Sequence, residues 1–253
     1  MLPWRHLRER TKDNTVIVVT GGVGFIGSNL VKALNHQGMD NILVVDDLSE
    51  GDKVGNLAGC DIVDFVDKQN FIQKIIARDE FEGLDAIFHQ GACSDTMESD
   101  GRYMMQTNYE YSKTLLECAS NRSVPFIYAS SASVYGDGDT FIEDPEFEKA
   151  LNVYAYSKLL FDRYVRRHQN SLECQTVGLR YFNVYGPGES HKGRMASVAW
   201  HFFQQYDEQG YVNLFEGSGG YADGEQLRDF VFIDDVTKIN MHFLSHPEIS
   251  GIF

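Results

Sequence analysis

"TVIVVTGGVGFIGSNL", residues 15–30, sets four glycines (Gly21, Gly22, Gly24 and Gly27) within seven residues, between an apolar run and a stretch with helical spacing. Three of them carry separate tasks at a strand-to-helix turn. Gly21 permits the tight turn, Gly24 lets a pyrophosphate approach the backbone, and Gly27 lets the helix pack on the strand. The anion then rests on free amide N–H groups at the positive end of the helix dipole. The next apolar run, "NILVVD" from Asn41, ends on Asp46, 19 residues after Gly27. A carboxylate there can accept hydrogen bonds from an adenosine ribose, which predicts a dinucleotide-binding βαβ unit.

Outward from this unit the same order repeats. Further strands are predicted at "AIFHQG" (from Ala86), "PFIYAS" (from Pro125) and "QTVGLRYF" (from Gln175), separated by amphipathic stretches such as "SNLVKALNHQG" and "YMMQTNYEYSKTLLECAS". Near-continuous Val/Ile runs imply strands covered on both faces. The fold class is therefore α/β, a Rossmann-like doubly wound parallel sheet. After Gly186 the rhythm breaks into glycine-rich loops with "NLFEGSGG" and "RDFVFIDDV". The predicted layout is an N-terminal extension over 1–14, a NAD(P)-binding domain over 15–186, and a smaller, C-terminally incomplete substrate lobe over 187–253. A strand near 228–236 is expected to return to the first domain.

Composition narrows the function. The chain has 253 residues, 43% of them hydrophobic and 13% aromatic, enough for a sizeable core. Its net charge of -15 argues against nucleic acid and anionic membrane as partners. No apolar run approaches the roughly 20 residues that cross a bilayer, and "MLPWRHLRER" carries charges where a secretory signal needs apolar residues. These features predict a cytoplasmic protein. Cys60, Cys93, Cys118 and Cys174 lie singly, without zinc-site spacing or disulfide density, so they are read as reduced, and no metal site is predicted.

A second constellation is Tyr154-Ala155-Tyr156-Ser157-Lys158. On a helix Tyr154 and Lys158 share a face, and an ammonium beside a phenol lowers its pKa from about 10 towards a useful base. Ser131, closing the strand that precedes "ASVYG", supplies a hydroxyl for a substrate oxygen. Together with the glycine turn, this points to hydride transfer.

These motifs resemble those of the extended short-chain dehydrogenases/reductases that act on nucleotide sugars. "VTGGVGFIGSN", "ILVVDDL", "AIFHQGACS", "ASSASVYG", "LNVYAYSK", "RYFNVYGP", "HKGRMASV", "LFEGS" and "RDFV" occur in that family's order from Val16 onward. The last blocks are similar to its ADP-heptose 6-epimerase branch. The resemblance implies hydride removal from C6″ of ADP-D-glycero-D-manno-heptose and its return to the opposite face, in lipopolysaccharide core precursor synthesis. It implies Tyr154 and Lys192 as two acid/base groups, assisted by Ser131 and Lys158. Cofactor positions carried over are Gly21, Gly24, Phe25, Ile26, Gly27, Asp46, Asp47, Lys53, Lys68, Gln90, Gly91, Ala92, Cys93, Ser94, Asn108, Lys158, Val184 and Lys192. Substrate positions are Asn183, Arg194, His201, Phe215, Glu216, Gly217, Ser218 and Arg228.

The cofactor implied is NADP, with NAD as the alternative. Lys53 can pair with a 2′-phosphate, whereas Asp46 favours NAD and Asp47 stands where the family has Asn. Arg194 replaces a small hydroxyl residue and either reaches a phosphate or obstructs the sugar. Family members run on for several tens of residues past "SGIF" and assemble as homo-oligomers, so part of the sugar pocket is expected to be unbuilt. Two other readings stand beside this one: a UDP-hexose 4-epimerase, which keeps the Ser/Tyr/Lys core, and an inactive NAD(P)-binding remnant.

Overall fold

A computed structural model describes residues 15–77 and 83–253; the predicted 1–14 extension lies outside them. The first apolar run forms strand β1 (Val16–Thr20) and the glycine turn delivers helix α1 (Phe25–His36). The chain continues through β2 (Ile42–Asp46), β3 (Asp64–Asp67), α2 (Lys68–Ile76) and β4 (Leu84–His89). Then come α3 (Gly101–Met104), α4 (Tyr111–Asn121), β5 (Phe126–Ser131), α5 (Val153–His168) and β6 (Thr176–Tyr181). The last part holds β7 (Asn183–Tyr185), α6 (Val198–Gln209), β8 (Phe230–Phe232), α7 (Ile233–Ser245) and β9 (Gly251–Ile252).

Seven strands form one sheet in the order β3-β2-β1-β4-β5-β6-β9, every pair parallel. The chain winds one way from β1 to β3 and the other way from β4 onward. The reversal falls between β1 and β4, so a crevice opens beyond their carboxyl ends, where such folds bind ligands. Alternation along β1 sends Val19 to the face covered by α1 and α7, with Leu30, Leu34, Met241 and Phe243. Val18 goes to the other face, against Phe71 of α2, Leu115 of α4 and Phe161 of α5.

Three features depart from the sequence reading. Edge strand β3 was not foreseen, because "DFVD" is short and acidic at both ends. The predicted helix over "YMMQTNYEYSK" is broken by a π-helical turn at Met105–Glu110. Such turns concentrate at functional sites. Finally, the strand expected to return near 228–236 is divided: β8 pairs with β7 in a separate two-stranded sheet, whereas residues from 233 on return to the main layer as a helix, together with the stretch to 252 that was placed in the substrate lobe. The reason is α7, whose buried face (Val236, Met241, Phe243, Leu244) needs the sheet and α1, and which delivers β9 to the edge of β6.

Beneath the crevice, His89 at the end of β4 is buried between Thr20 and Ser112, with ring nitrogens 2.6 and 2.8 Å from their hydroxyls. Ser112 donates to Asn108 O at 2.6 Å, so its oxygen accepts from Nε2–H and Nδ1 accepts from Thr20. That arrangement requires a neutral imidazole. Burial lowers the His89 pKa to about 3. As pH falls below about 6.5 the unfolded chain takes up a proton that the folded chain refuses, so stability is expected to drop by up to about 1.4 kcal/mol per pH unit down to about pH 3. Urea unfolding between pH 7 and pH 5 measures this, and His89→Asn is expected to flatten that slope.

Candidate active site

A cleft of about 1840 Å³ opens at the switch point, lined by the glycine turn, the ends of β2, β4 and β5, the first turns of α5, and the loops around 190–198 and 226–230. Its floor is the turn after β1. An ideal Cβ on Gly21 would lie 2.6 Å from Gly91 Cα in the loop after β4, and one on Gly27 would lie 2.1 Å from Gly21 O. Gly21 also has φ +66. No side chain caps α1 at Gly24, so the start of this helix presents backbone to the cleft. This cradle fits a dinucleotide pyrophosphate.

At the carboxyl end of β2, Asp46 is already engaged by the chain itself. Its Oδ2 accepts Val23 N at 2.8 Å, and its Oδ1 accepts Asp47 N and Lys53 Nζ, each at 2.7 Å. Three of a carboxylate's roughly four acceptor positions are thereby taken by the chain itself. Asp47 pairs with Lys68 at 2.6 Å. The Lys68 hydrogen bond, helped by Ser49, holds the Asp47 carboxyl well below the usual carboxylate range. For Lys68, burial works against the charge, and the bond to Asp47 together with the nearby charges of Asp47 and Asp46 and the Tyr103 phenol outweighs it, so its pKa rises.

The loop Gln90–Ser94 lines the cleft and is pinned from behind. Asn108, in the π-helical turn, accepts Cys93 N at 2.8 Å and donates to Cys93 O at 2.9 Å and Ser157 Oγ at 3.1 Å. It does not itself line the cleft, so its part is to hold this loop. Phe25, Ile26, Val184 and Lys192 also line the cleft. Cys93 forms no disulfide, nor do Cys60, Cys118 and Cys174.

Ser131, Tyr154 and Lys158 converge on the same wall. Asn152 caps α5 by accepting Ala155 N at 2.8 Å, which fixes the turn carrying Tyr154. The Tyr154 phenol faces the Ser131 hydroxyl, which favours its ionised form. The expected effect of Lys158 on the phenol is corrected here: Lys158 Nζ donates to Ala129 O at 2.8 Å, and the phenol is shifted up. Loss of water raises it, Ser131 opposes the rise, and Cys93 adds to it. Burial lowers Lys158 itself to about 8.

Lys192 stands 5.3 Å from the Phe25 ring centroid. Burial lowers its pKa, easing proton release. Arg194 turns to Asp95 of the loop after β4, at 2.5 Å, so the guanidinium expected on a phosphate or in the sugar space is paired across the cleft. Gly193, between the two cations, has φ +51. Asn183, Phe215 and Arg228 line the cleft. His201, Glu216, Gly217 and Ser218 do not. Bonds Gly224 N to Phe215 O and Gly217 N to Asp223 Oδ1 fold that segment back on itself, and α6 presents Ala199 and Phe202 instead of His201.

Several site groups escaped the sequence reading. Asp95 is one. His191 is another: it lines the cleft and sits 3.1 Å from Asn56, which also donates to Val23 O of the glycine turn. Among the described residues no group of three or more His, Cys, Asp or Glu is arranged to hold a metal ion, and no helix is long and apolar enough to cross a membrane.

Residues 17–252 match the model of the NAD dependent epimerase/dehydratase family. The chain belongs to that family. An ADP-L-glycero-D-manno-heptose-6-epimerase of Alkalilimnicola ehrlichii is 57% identical to this epimerase/dehydratase over 238 residues, 94% of this chain and 74% of the relative. The crystal structure of the Helicobacter pylori ADP-L-glycero-D-manno-heptose-6-epimerase superposes with a TM-score of 0.83 at 35% identity, over 97% of this chain and 77% of that one. The Thermus thermophilus UDP-glucose 4-epimerase in complex with NAD gives 0.72 at 26% identity, over 94% and 76%.

Proposed function

We propose that this chain epimerises ADP-D-glycero-D-manno-heptose at C6″, giving the L-glycero form, with NADP held on the glycine turn. The observation that carries the proposal is the convergence of Ser131, Tyr154, Lys158 and Lys192 on one cleft that opens over the phosphate cradle. The 57% identity to a heptose epimerase supports that substrate over a UDP-hexose, whose 4-epimerases share 26% and 29%.

Bound nicotinamide supplies the hydride acceptor for the first half-reaction and the donor for the second, so no net redox change results. The chain's residues manage the protons and the sugar. Ser131 hydrogen-bonds the C6″ oxygen and Tyr154 takes its proton as the carbonyl forms. The ketone then turns over in the cleft. Lys192, its ammonium made more acidic by burial, returns a proton on the other face. Phe215 and Arg228 bound the space in which the sugar turns, and the Arg228 fork suits the diphosphate.

NADP is preferred because the acceptor capacity of Asp46 is committed to the chain, leaving little for a ribose 2′-hydroxyl. Lys53 and Lys68 each use one donor on a carboxylate and keep others for a 2′-phosphate. One preparation tests both statements. Nucleotide released on denaturation is expected to be NADP, and NMR of the incubated ADP-heptose is expected to report inversion at C6″. Release of NAD sinks the cofactor assignment; absence of product from cofactor-loaded protein, or turnover of UDP-glucose instead, sinks the substrate assignment.

A further inference from the structure

Behind the reacting groups the wall is polar and closed. Tyr154, Lys158 and Asp162 lie one turn apart on a single face of α5. Each faces the end of β5, and two of the three are bonded to it. Tyr154 meets Ser131, Lys158 donates to Ala129 O, and Asp162 accepts from the hydroxyls of Tyr128 at 2.9 Å and Ser130 at 2.8 Å. Four consecutive residues of β5 are thus fixed against three turns of α5.

Asp162 is fully buried. Its Oδ2 also accepts Nε and Nη2 of Arg180 on β6, each at 3.1 Å. Arg180 is held in turn by Glu148 and by the Tyr135 hydroxyl at 2.9 Å, and Arg166 donates to the same Glu148 oxygen at 2.6 Å. A guanidinium has only donors, so Oδ2, facing two of its N–H groups and a serine hydroxyl, carries no proton, and Oδ1 accepts from Tyr128; burial raises the Asp162 pKa, and Arg180, Ser130 and Tyr128 oppose that rise in favour of the carboxylate. Buried ion pairs of this kind are weak evidence for stability, since apolar side chains of similar volume often serve as well. The placement of this one directly below the reacting groups gives it another use.

We propose that Asp162 is a positioning residue for proton transfer in the cleft: it ties the end of β5 to α5 so that Ser131 and Tyr154 meet, and it is the counter-charge against which the Lys158 ammonium is held. The proposal rests on the epimerase reading above. Burial pulls the Lys158 ammonium down to about 8, and the charge of Asp162 opposes that fall. Around this pair, His89 of β4 is kept neutral by burial, Tyr128 of β5 donates its proton, Arg180 of β6 is a fixed cation, Glu148 faces Arg180, and Arg163 and Arg166 are paired with Glu148.

The test is Asp162→Asn, which keeps the shape and an acceptor for Tyr128 but removes the charge. We expect folded protein with a kcat about 10- to 100-fold lower and a nearly unchanged KM for the sugar. The alkaline limb of kcat is expected to move about one pH unit lower, because an ammonium without its counter-charge gives up its proton sooner. The same displacement is expected in the pH dependence of NADPH binding, followed by nicotinamide fluorescence. That second readout needs no sugar, so it separates failure of this proposal from failure of the epimerase assignment. Alkaline limbs that stay in place overturn the proposal. Should Asp162→Asn not be recovered folded, Ser130→Ala keeps the charge and cuts one tether: a severalfold loss of kcat with the alkaline limb unmoved is expected, and undiminished kcat overturns it.

Discussion

Replacing Tyr154 with phenylalanine is expected to lower kcat for epimerisation by about 10²- to 10⁴-fold while cofactor stays bound, the range that a positioned acid/base contributes. The substitution removes one oxygen and conserves the ring, so α5 keeps its Asn152 cap and its packing. What is lost is the acceptor for the C6″ hydroxyl proton and the partner of Ser131. The pH dependence sharpens the test. The phenol is shifted up by loss of water and is protonated at neutral pH, so wild-type turnover is expected to rise with pH until Lys158 loses its charge near 8. In Tyr154→Phe the rising limb is expected to vanish. Stopped assays by NMR across pH 6–9 read both effects, and full turnover in the variant removes Tyr154 from the chemistry.

The parts of the site legible in sequence are those whose geometry is local. Gly21, Gly24 and Gly27 are fixed by one strand-to-helix turn, and Tyr154 and Lys158 by one turn of helix. The parts that were misread are decided by partners far along the chain. Asp46 looked like a free ribose acceptor because nothing near it announces that Val23 N and Lys53 will occupy its oxygens. The consequence of Lys158 for Tyr154 was misjudged for the same reason, since Ala129 is 29 residues away. Asp162 shares the face of Tyr154 and Lys158 at the next helical step, so its position was readable; its role was not, because Tyr128, Ser130 and Arg180 arrive from two different strands. Likewise "RDFVFIDDV" read as one strand returning to the first domain, although Asp234 and Asp235 carry the acidic first turn of a helix start. Its apolar face is explained only by α1 and the sheet.

Gly27→Ala is expected to abolish detectable cofactor retention, with an affinity loss of at least about 100-fold, equivalent to about 2.7 kcal/mol. The added Cβ would sit 2.1 Å from Gly21 O, 2.7 Å from Gly21 C and 2.8 Å from Gly22 Cα. All three are backbone atoms of the turn, so no side chain can rotate away, and relief requires α1 to slide off β1 or the turn to open. Either movement displaces the amides that hold the phosphates, and overpacking of this kind costs about 1–3 kcal/mol of stability as well. Gly24→Ala is the informative companion. Its Cβ would meet only Gly21 O, at 3.2 Å, so the fold is expected to tolerate it; the methyl instead stands where the pyrophosphate approaches. Thermal unfolding and NADPH titration of the two variants separate the cases. Gly27→Ala should lose both stability and binding, Gly24→Ala binding alone. Wild-type affinity in Gly27→Ala means that the cofactor does not rest on this turn, and the hydride chemistry assigned to the cleft falls with it.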